Sequence, residues 1–178
     1  SDDVRAALPM SEAVKAMKDA YASFSAGDVD APLRTHIRLN GGDADLLVMP
    51  SYCRQMDKAG VKAITLHPKN VEDGLPFAHA TMMIIDARWG TPLALMDGAI
   101  LTAIRTGAGA GAATDVLARP DASQVAIIGS GIQAASQLEA MCAVRPIRRA
   151  AVFDLDQARA VSFANRLSKQ LNIEVEPA

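Results

Sequence analysis

Residues 125–140 read VAIIGSGIQAASQLEA, and this stretch decides the fold. Gln124 to Ile128 form a continuous apolar strand of the buried parallel type. Gly129-Ser130-Gly131-Ile132-Gln133-Ala134 then supplies the pattern GxGxxA, and residues 131–143 read as a helix. In a strand–turn–helix unit each small residue has a mechanical task. Gly129 permits the tight turn off the strand, Gly131 lets the backbone come close to a pyrophosphate, and Ala134 keeps helix and strand packed. The exposed N–H groups at the helix start, with the helix dipole behind them, hold phosphate charge. Asp154 closes the next strand, Ala150 to Asp154, 23 positions after Gly131. A carboxylate there accepts hydrogen bonds from the adenosine ribose and repels a 2′-phosphate, which favours NAD over NADP. A solvated strand-end Asp, or an N-cap for the following helix, is the competing reading of Asp154; Asp156 could serve as that cap instead.

Working outward, residues 156–171 form a second helix and Ile173 to Val175 begin a third strand, where the sequence stops. The pattern is the first part of a doubly wound Rossmann-type domain, and the chain looks like a piece of a longer one. Upstream, Arg119-Pro120-Asp121 breaks the rhythm. The expected organisation is a mixed α/β domain over 1–118 and the dinucleotide-binding part over 119–178. In the first segment, apolar residues from Met10 to Phe24 repeat at spacings of three and four, predicting a helix over 10–26 that Gly27 ends. Short strands follow: Leu33 to Leu39, Leu46 to Met49 halted by Pro50, and Ala59 to Leu66. A hairpin joins Phe77–Asp86 to Thr91–Met96. Residues 100–118 read as a helix of small and apolar residues. Its Gly107-x-Gly109-x-Gly111 follows helix rather than strand, so it reads as a close-packing face and not as a second phosphate loop.

Composition narrows the class. Half of the 178 residues are apolar and the formal net charge is −2. No Lys/Arg run suggests nucleic acid or a membrane surface. The N-terminus lacks the features of a secretion signal, and apolar runs such as Met82 to Ile85 are too short to span a bilayer. Cys53 and Cys142 have no metal or redox spacing and read as reduced thiols, which points to the cytoplasm. His36, His67 and His79 are isolated, so no metal site is expected.

A set of further segments then becomes recognisable: Val48-Met49-Pro50-Ser51-Tyr52, Gly60-Val61-Lys62, His67-Pro68-Lys69-Asn70, Gly74-Leu75-Pro76, PLALMDG at 92–98, LTAIRTGA at 101–108 and IIGSGIQA at 127–134. In this order over nearly the whole chain, they resemble the ornithine cyclodeaminase/mu-crystallin family, which includes archaeal-type alanine dehydrogenases and ketimine reductases. The resemblance implies a substrate-binding and dimerising α/β domain joined to a Rossmann domain, a homodimer, and an active site between the domains. It also implies that Lys62 assists proton transfer and that Arg34 and Arg105 bind the substrate carboxylate. Thr106 falls among the cofactor-binding residues, and His79 stands close to the substrate wall. The chemistry agrees, because planar guanidinium groups grip a carboxylate through paired hydrogen bonds. A lysine desolvated beside arginines suits proton transfer near neutral pH. Read without the resemblance, Lys62 would be an outward residue on a half-exposed strand, whereas Arg105 in a buried-looking helix would call for an anionic partner.

Two departures shape the functional reading. Leu47 stands where the ornithine-specific members carry an acidic residue for the substrate's terminal amine. A leucine cannot pair that cation, which argues for a small or apolar substrate side chain. The sequence also stops before the second mononucleotide-binding half and before the family's second-domain aspartate. The expected activity is NAD-dependent oxidation or reduction at the carbon–nitrogen bond of a small α-amino or cyclic imino acid. The alternatives are a cyclodeaminase, which recycles NAD and releases ammonia, and a non-catalytic nucleotide- and small-molecule-binding protein.

Overall fold

The computed structural model describes residues 2–178, and their packing divides them into two compact units. One is built on Ala20–Thr102, the other on Arg5–Asp19 with Ala103–Ala178. The division falls at Thr102/Ala103, within a helix. The reason is packing: the small-residue helix belongs with what it touches, not with the strands that precede it.

The chain begins with the short helix α1 (Asp2–Ala7), which the sequence pattern did not suggest, and then α2 (Met10–Ser25). The N–H of Ala13 bonds to the Pro9 carbonyl at the start of α2, and Gly27 (φ +81°) lies just past its end. The first unit's sheet has six strands: β1 (Val29–Asp30), β2 (Thr35–Leu39), β3 (Ala44–Cys53), β4 (Lys58–Leu66), β5 (Ala78–Asp86) and β6 (Pro92–Asp97). Every pairing is antiparallel. Pro50 does not halt β3 as expected; the strand runs straight through it. Residues 44–48 pair with β2 and residues 52–53 with β1, so Pro50 lies in the gap between those partners. On its other side it faces Val61 of β4. A proline at a position without a neighbour on one edge sacrifices no ladder bond there. The β5–β6 hairpin turns on Asp86, whose Oδ1 accepts from the N–H groups of Arg88 and Trp89, with Gly90 at φ +70°.

Helix α3 (Gly98–Leu117) starts where Asp97 Oδ1 accepts from Ala99 and Ile100, a side-chain cap. In the second unit, β7 (Gln124–Ile128), α4 (Ile132–Val144), β8 (Arg149–Phe153), α5 (Gln157–Leu171) and β9 (Glu174–Pro177) make a three-stranded parallel sheet, order β7-β8-β9, with helical crossovers. This is the expected βαβαβ half. Its core is Ala134 and Leu138 of α4, Ala150 and Val152 of β8, and Ala160, Phe163, Ala164 and Leu167 of α5. Val125 and Ile127 pack against that cluster, whereas Ile128 is 88% exposed. The expectation that β7 is buried on both faces therefore fails among the described residues, where α4 packs against the strand and Ile128 points away from the core.

The glycines of α3 are a packing face, as their helical context suggested. A Cβ on Gly107 would lie 2.3 Å from the Ser136 carbonyl oxygen, and one on Gly111 would lie 2.9 Å from Val14 and 3.0 Å from Ala140. Such approaches bring α3 backbone against α4, which no side chain larger than hydrogen permits at Gly107.

Candidate dinucleotide and substrate sites

The glycine loop connects β7 to α4. Gly129 adopts φ +90°, a conformation that L side chains rarely adopt, and its N–H bonds to the Phe153 carbonyl at 2.7 Å. A Cβ at either Gly129 or Gly131 would meet nothing within 4 Å, so open space lies over the loop. Gly131 is the N-cap of α4 and, as a glycine, gives that helix end no side-chain cap. Ile132 and Gln133 are exposed, whereas Ala134 is buried in the core between helix and strand. An uncapped helix start beneath open space suits an anionic group such as a pyrophosphate.

Asp154 stands at the end of β8, beside the loop. Its Oδ2 accepts from the Ser130 hydroxyl at 2.5 Å and from the Ser130 N–H at 2.8 Å. Its Oδ1 accepts from the Asp156 N–H at 3.0 Å. The Ser130 hydroxyl, followed by the Asp156 and Ser130 N–H groups, holds the carboxyl well below its ordinary 3.8, at about 2. Asp154 is therefore an ionised carboxylate at neutral pH. Asp156, not Asp154, caps α5, its Oδ1 accepting from Ala158 and Arg159. The donor set, the open loop and the ionised carboxylate fit a dinucleotide.

In the first unit, Lys62 sits half-buried in β4, opposite Met49 of β3 and Met82 of β5. Side chains alternate along strands, so Lys62 shares a face with Leu47, which pairs with Ile64 one step along. The Met82 methyl reaches over Gly60, where a Cβ would come within 2.8 Å of it. Met49, Met82 and Leu47 therefore share one face of the sheet with Lys62. His36 pairs with Leu47 on the same face, and its Nε2 contacts Asp45 Oδ1 at 2.6 Å.

His79 pairs with Thr65, which places it on the face of the sheet opposite Lys62. Arg34 is exposed in the segment before β2. Arg105 lies on α3 in the second unit and is exposed, so it is not the buried cation the helix pattern suggested. Thr106 follows it, half-buried. Among the described residues no three His, Cys, Asp or Glu side chains are grouped to hold a metal, and no helix is long and apolar enough to cross a membrane.

Two polar arrangements were not read from the sequence. One is the Ser130–Asp154 bond, whose only linear signal is a hydroxyl residue between the two glycines. The other is Arg145, whose side chain is 8% exposed and pairs with Asp115 at 2.5 Å. Arg145 Nη2 also donates to the carbonyls of Thr114, Asp115 and Ala118, and Nε to that of Arg119. The guanidinium thereby satisfies the carbonyl end of α3, a partnership 26 to 31 residues apart in sequence.

The antiparallel sheet and the βαβαβ unit with its glycine loop define a dinucleotide-binding α/β protein. Across residues 1–178 the chain matches the family model described as the ornithine cyclodeaminase/mu-crystallin family, and it belongs to that family. It is 34% identical to a Delta(1)-pyrroline-2-carboxylate reductase of Bacillus cereus over 96% of this chain and 52% of that protein. It is 35% identical to an L-lysine cyclodeaminase of Streptomyces rapamycinicus over 89% of this chain and 47% of that protein. Among solved structures it resembles Thermococcus litoralis Delta(1)-pyrroline-2-carboxylate reductase in complex with NADH and L-proline, with TM-score 0.91, 40% identity and coverage of 96% of this chain and 53% of that one. An archaeal alanine dehydrogenase dimer with bound NAD gives TM-score 0.91 at 31% identity, covering all of this chain and 54% of that one. The chain thus spans about half the length of the relatives it matches.

Proposed function

We propose that the complete protein is an NAD-dependent oxidoreductase acting at the carbon–nitrogen bond of a small α-amino acid or cyclic imino acid, of the alanine dehydrogenase or ketimine and pyrroline-2-carboxylate reductase type. The observation that carries this reading is that Lys62 shares one face of the sheet with Met49, Met82 and Leu47. No carboxylate stands at Leu47 to receive a second substrate amine. The likeness to the reductase solved with NADH and L-proline supports the same substrate class.

NAD, when bound, supplies the hydride acceptor, and NADH the donor, for the substrate carbon. The chain's own residues bind, orient and move the proton. The loop from Gly129 to Ala134 holds the pyrophosphate, Asp154 accepts hydrogen bonds from the adenosine ribose, and Thr106 contributes from α3. Arg34 and Arg105 bind the substrate carboxylate, which fixes the reacting carbon. Lys62 Nζ gives a proton to the substrate nitrogen in the reductive direction and takes one in the oxidative direction. Bound NADP is disfavoured by the Asp154 charge.

The likeness to a lysine cyclodeaminase motivates the second reading, a lyase that recycles NAD. Full-length protein offered NAD or NADH with L-alanine, L-proline, L-ornithine and cyclic ketimines separates the two. Net change in NADH absorbance with alanine, proline or a ketimine is the expected result. Ammonia from ornithine with flat NADH would establish the cyclodeaminase instead, and tight nucleotide binding without turnover would establish a binding protein. We further propose a homodimer formed through the first unit's sheet. Its face opposite Lys62 carries Ile37, Val48, Val61, Met83 and Leu95, of which Ile37 is 47% and Leu95 73% exposed. An apolar sheet face of this kind is a natural association surface.

A further inference from the structure

Asp154 is more heavily occupied than a ribose-binding carboxylate needs to be. A carboxylate offers about four lone-pair directions. The Ser130 hydroxyl and N–H take both of those on Oδ2, and the Asp156 N–H takes one on Oδ1. One direction on Oδ1 is left for a ligand. Meanwhile the Ser130 oxygen, having donated its proton to Oδ2, keeps its own acceptor capacity beside the loop. Two acceptors therefore stand side by side, one from each residue, and a vicinal diol presents two donors.

We propose that Ser130 is a specificity and positioning residue for the nucleotide, acting with Asp154 as a composite acceptor for the two hydroxyls of the adenosine ribose. Resting on the NAD reading above, this assigns one ribose hydroxyl to Asp154 Oδ1 and the other to Ser130 Oγ. The side chain of Ser130 has a second effect, exerted through Asp154. By fixing Oδ2, it stops the carboxylate from rotating away from the loop and keeps it ionised, with Arg159 as the further charge acting on it. The same arrangement penalises a 2′-phosphate twice: by charge against Asp154, and by placing acceptor oxygen against acceptor oxygen at Ser130.

The test uses the full-length protein with ADP-ribose and 2′-phospho-ADP-ribose as probes, read by calorimetry, so that no turnover is needed. Ser130→Ala is expected to weaken ADP-ribose binding about three- to tenfold, a loss in the range of one hydrogen bond. Binding of the 2′-phosphorylated probe is expected to be unchanged or better, which narrows discrimination. Ser130→Thr keeps the hydroxyl and is expected to restore most of the loss. NMR titration of the Asp154 carboxyl supplies an independent readout, expected to move upward from about 2 in Ser130→Ala. If Ser130→Ala binds ADP-ribose as the parent does, the inference is overturned while the nucleotide reading stands. Equal losses for both probes, or in both Ser130 variants, would also overturn it, since a merely misshapen loop predicts that. A parent protein that binds neither probe would overturn the nucleotide reading and this inference together.

Discussion

Single side chains set the chemistry, and three of them give sharp expectations. Replacing Lys62 by Met keeps a long side chain and removes the amine proposed as the proton carrier. The expected outcome is a fall in kcat of about a hundred- to ten-thousandfold with nucleotide affinity intact, measured by steady-state kinetics and NADH titration. Leu47→Glu places a carboxylate on the Lys62 face, and the expected result is a relative gain for L-ornithine over L-alanine in kcat/KM. No such shift would mean that Leu47 does not meet the substrate side chain. Asp154 carries a pH dependence whose sign follows from its environment. Its carboxyl is held at about 2 in the folded protein against an ordinary 3.8, so the unfolded chain binds the proton more readily. Its contribution to stability is therefore complete above about pH 5 and is lost as the pH falls through about 2. Chemical denaturation of the parent and of Asp154→Asn should show a difference at pH 5 that narrows through pH 3 and closes only below about pH 2. The identity of each of these residues is legible in the sequence, but Leu47 meets Lys62 only through the β3–β4 register, and His79 leaves Lys62's face through the β4–β5 register.

At the scale of elements, α3 is where close packing decides stability. Alanine is the better helix former, worth about 1 kcal/mol over glycine in a helix interior. At Gly107 that gain is overwhelmed, because the new methyl would meet the Ser136 carbonyl, which belongs to the backbone of α4 and cannot swing away. Gly107→Ala is expected to destabilise by about 1–3 kcal/mol, as overpacked cores do. Gly111→Ala meets the Val14 and Ala140 methyls instead, and is expected to destabilise by less than Gly107→Ala because its contacts are longer and the nearest atom is a side-chain methyl rather than backbone. Thermal unfolding of the two variants side by side checks the ordering. Arg145 holds the other end of the same helix. Removing a buried partner from an ion pair costs about 3–5 kcal/mol. Asp115 keeps Lys18 and is about a third exposed, so Arg145→Ala is expected to cost less, about 2–3 kcal/mol. Arg145→Lys, with the charge but not the fork, should recover only part of it. Periodicity shows that α3 is a helix and that its glycines suit close contact. It cannot show which neighbour makes the contact, since Ser136 is 29 residues away.

For the whole molecule, association is the property most open to measurement. Leu95→Asp places a charge on the exposed apolar face of the sheet, and sedimentation should then report monomer where the parent reports dimer. An unchanged mass would direct the search for an interface elsewhere. At this scale the division of labour between sequence and tertiary structure is plain. By itself the sequence determined the family, the order of nearly all the strands and helices, the βαβαβ rhythm and the glycine loop with its acidic partner. All of these depend on local periodicity and on residues a short distance apart, where backbone sterics and side-chain alternation act directly. Only the tertiary structure decided that β3 continues through Pro50, that the packed units divide inside α3, that Ser130 grips Asp154 and that His79 turns away from Lys62. Each of those depends on which segment lies alongside which. Strand register, helix crossing and the satisfaction of buried polar groups are settled by contacts between residues remote in sequence, and the linear pattern carries no measure of those distances.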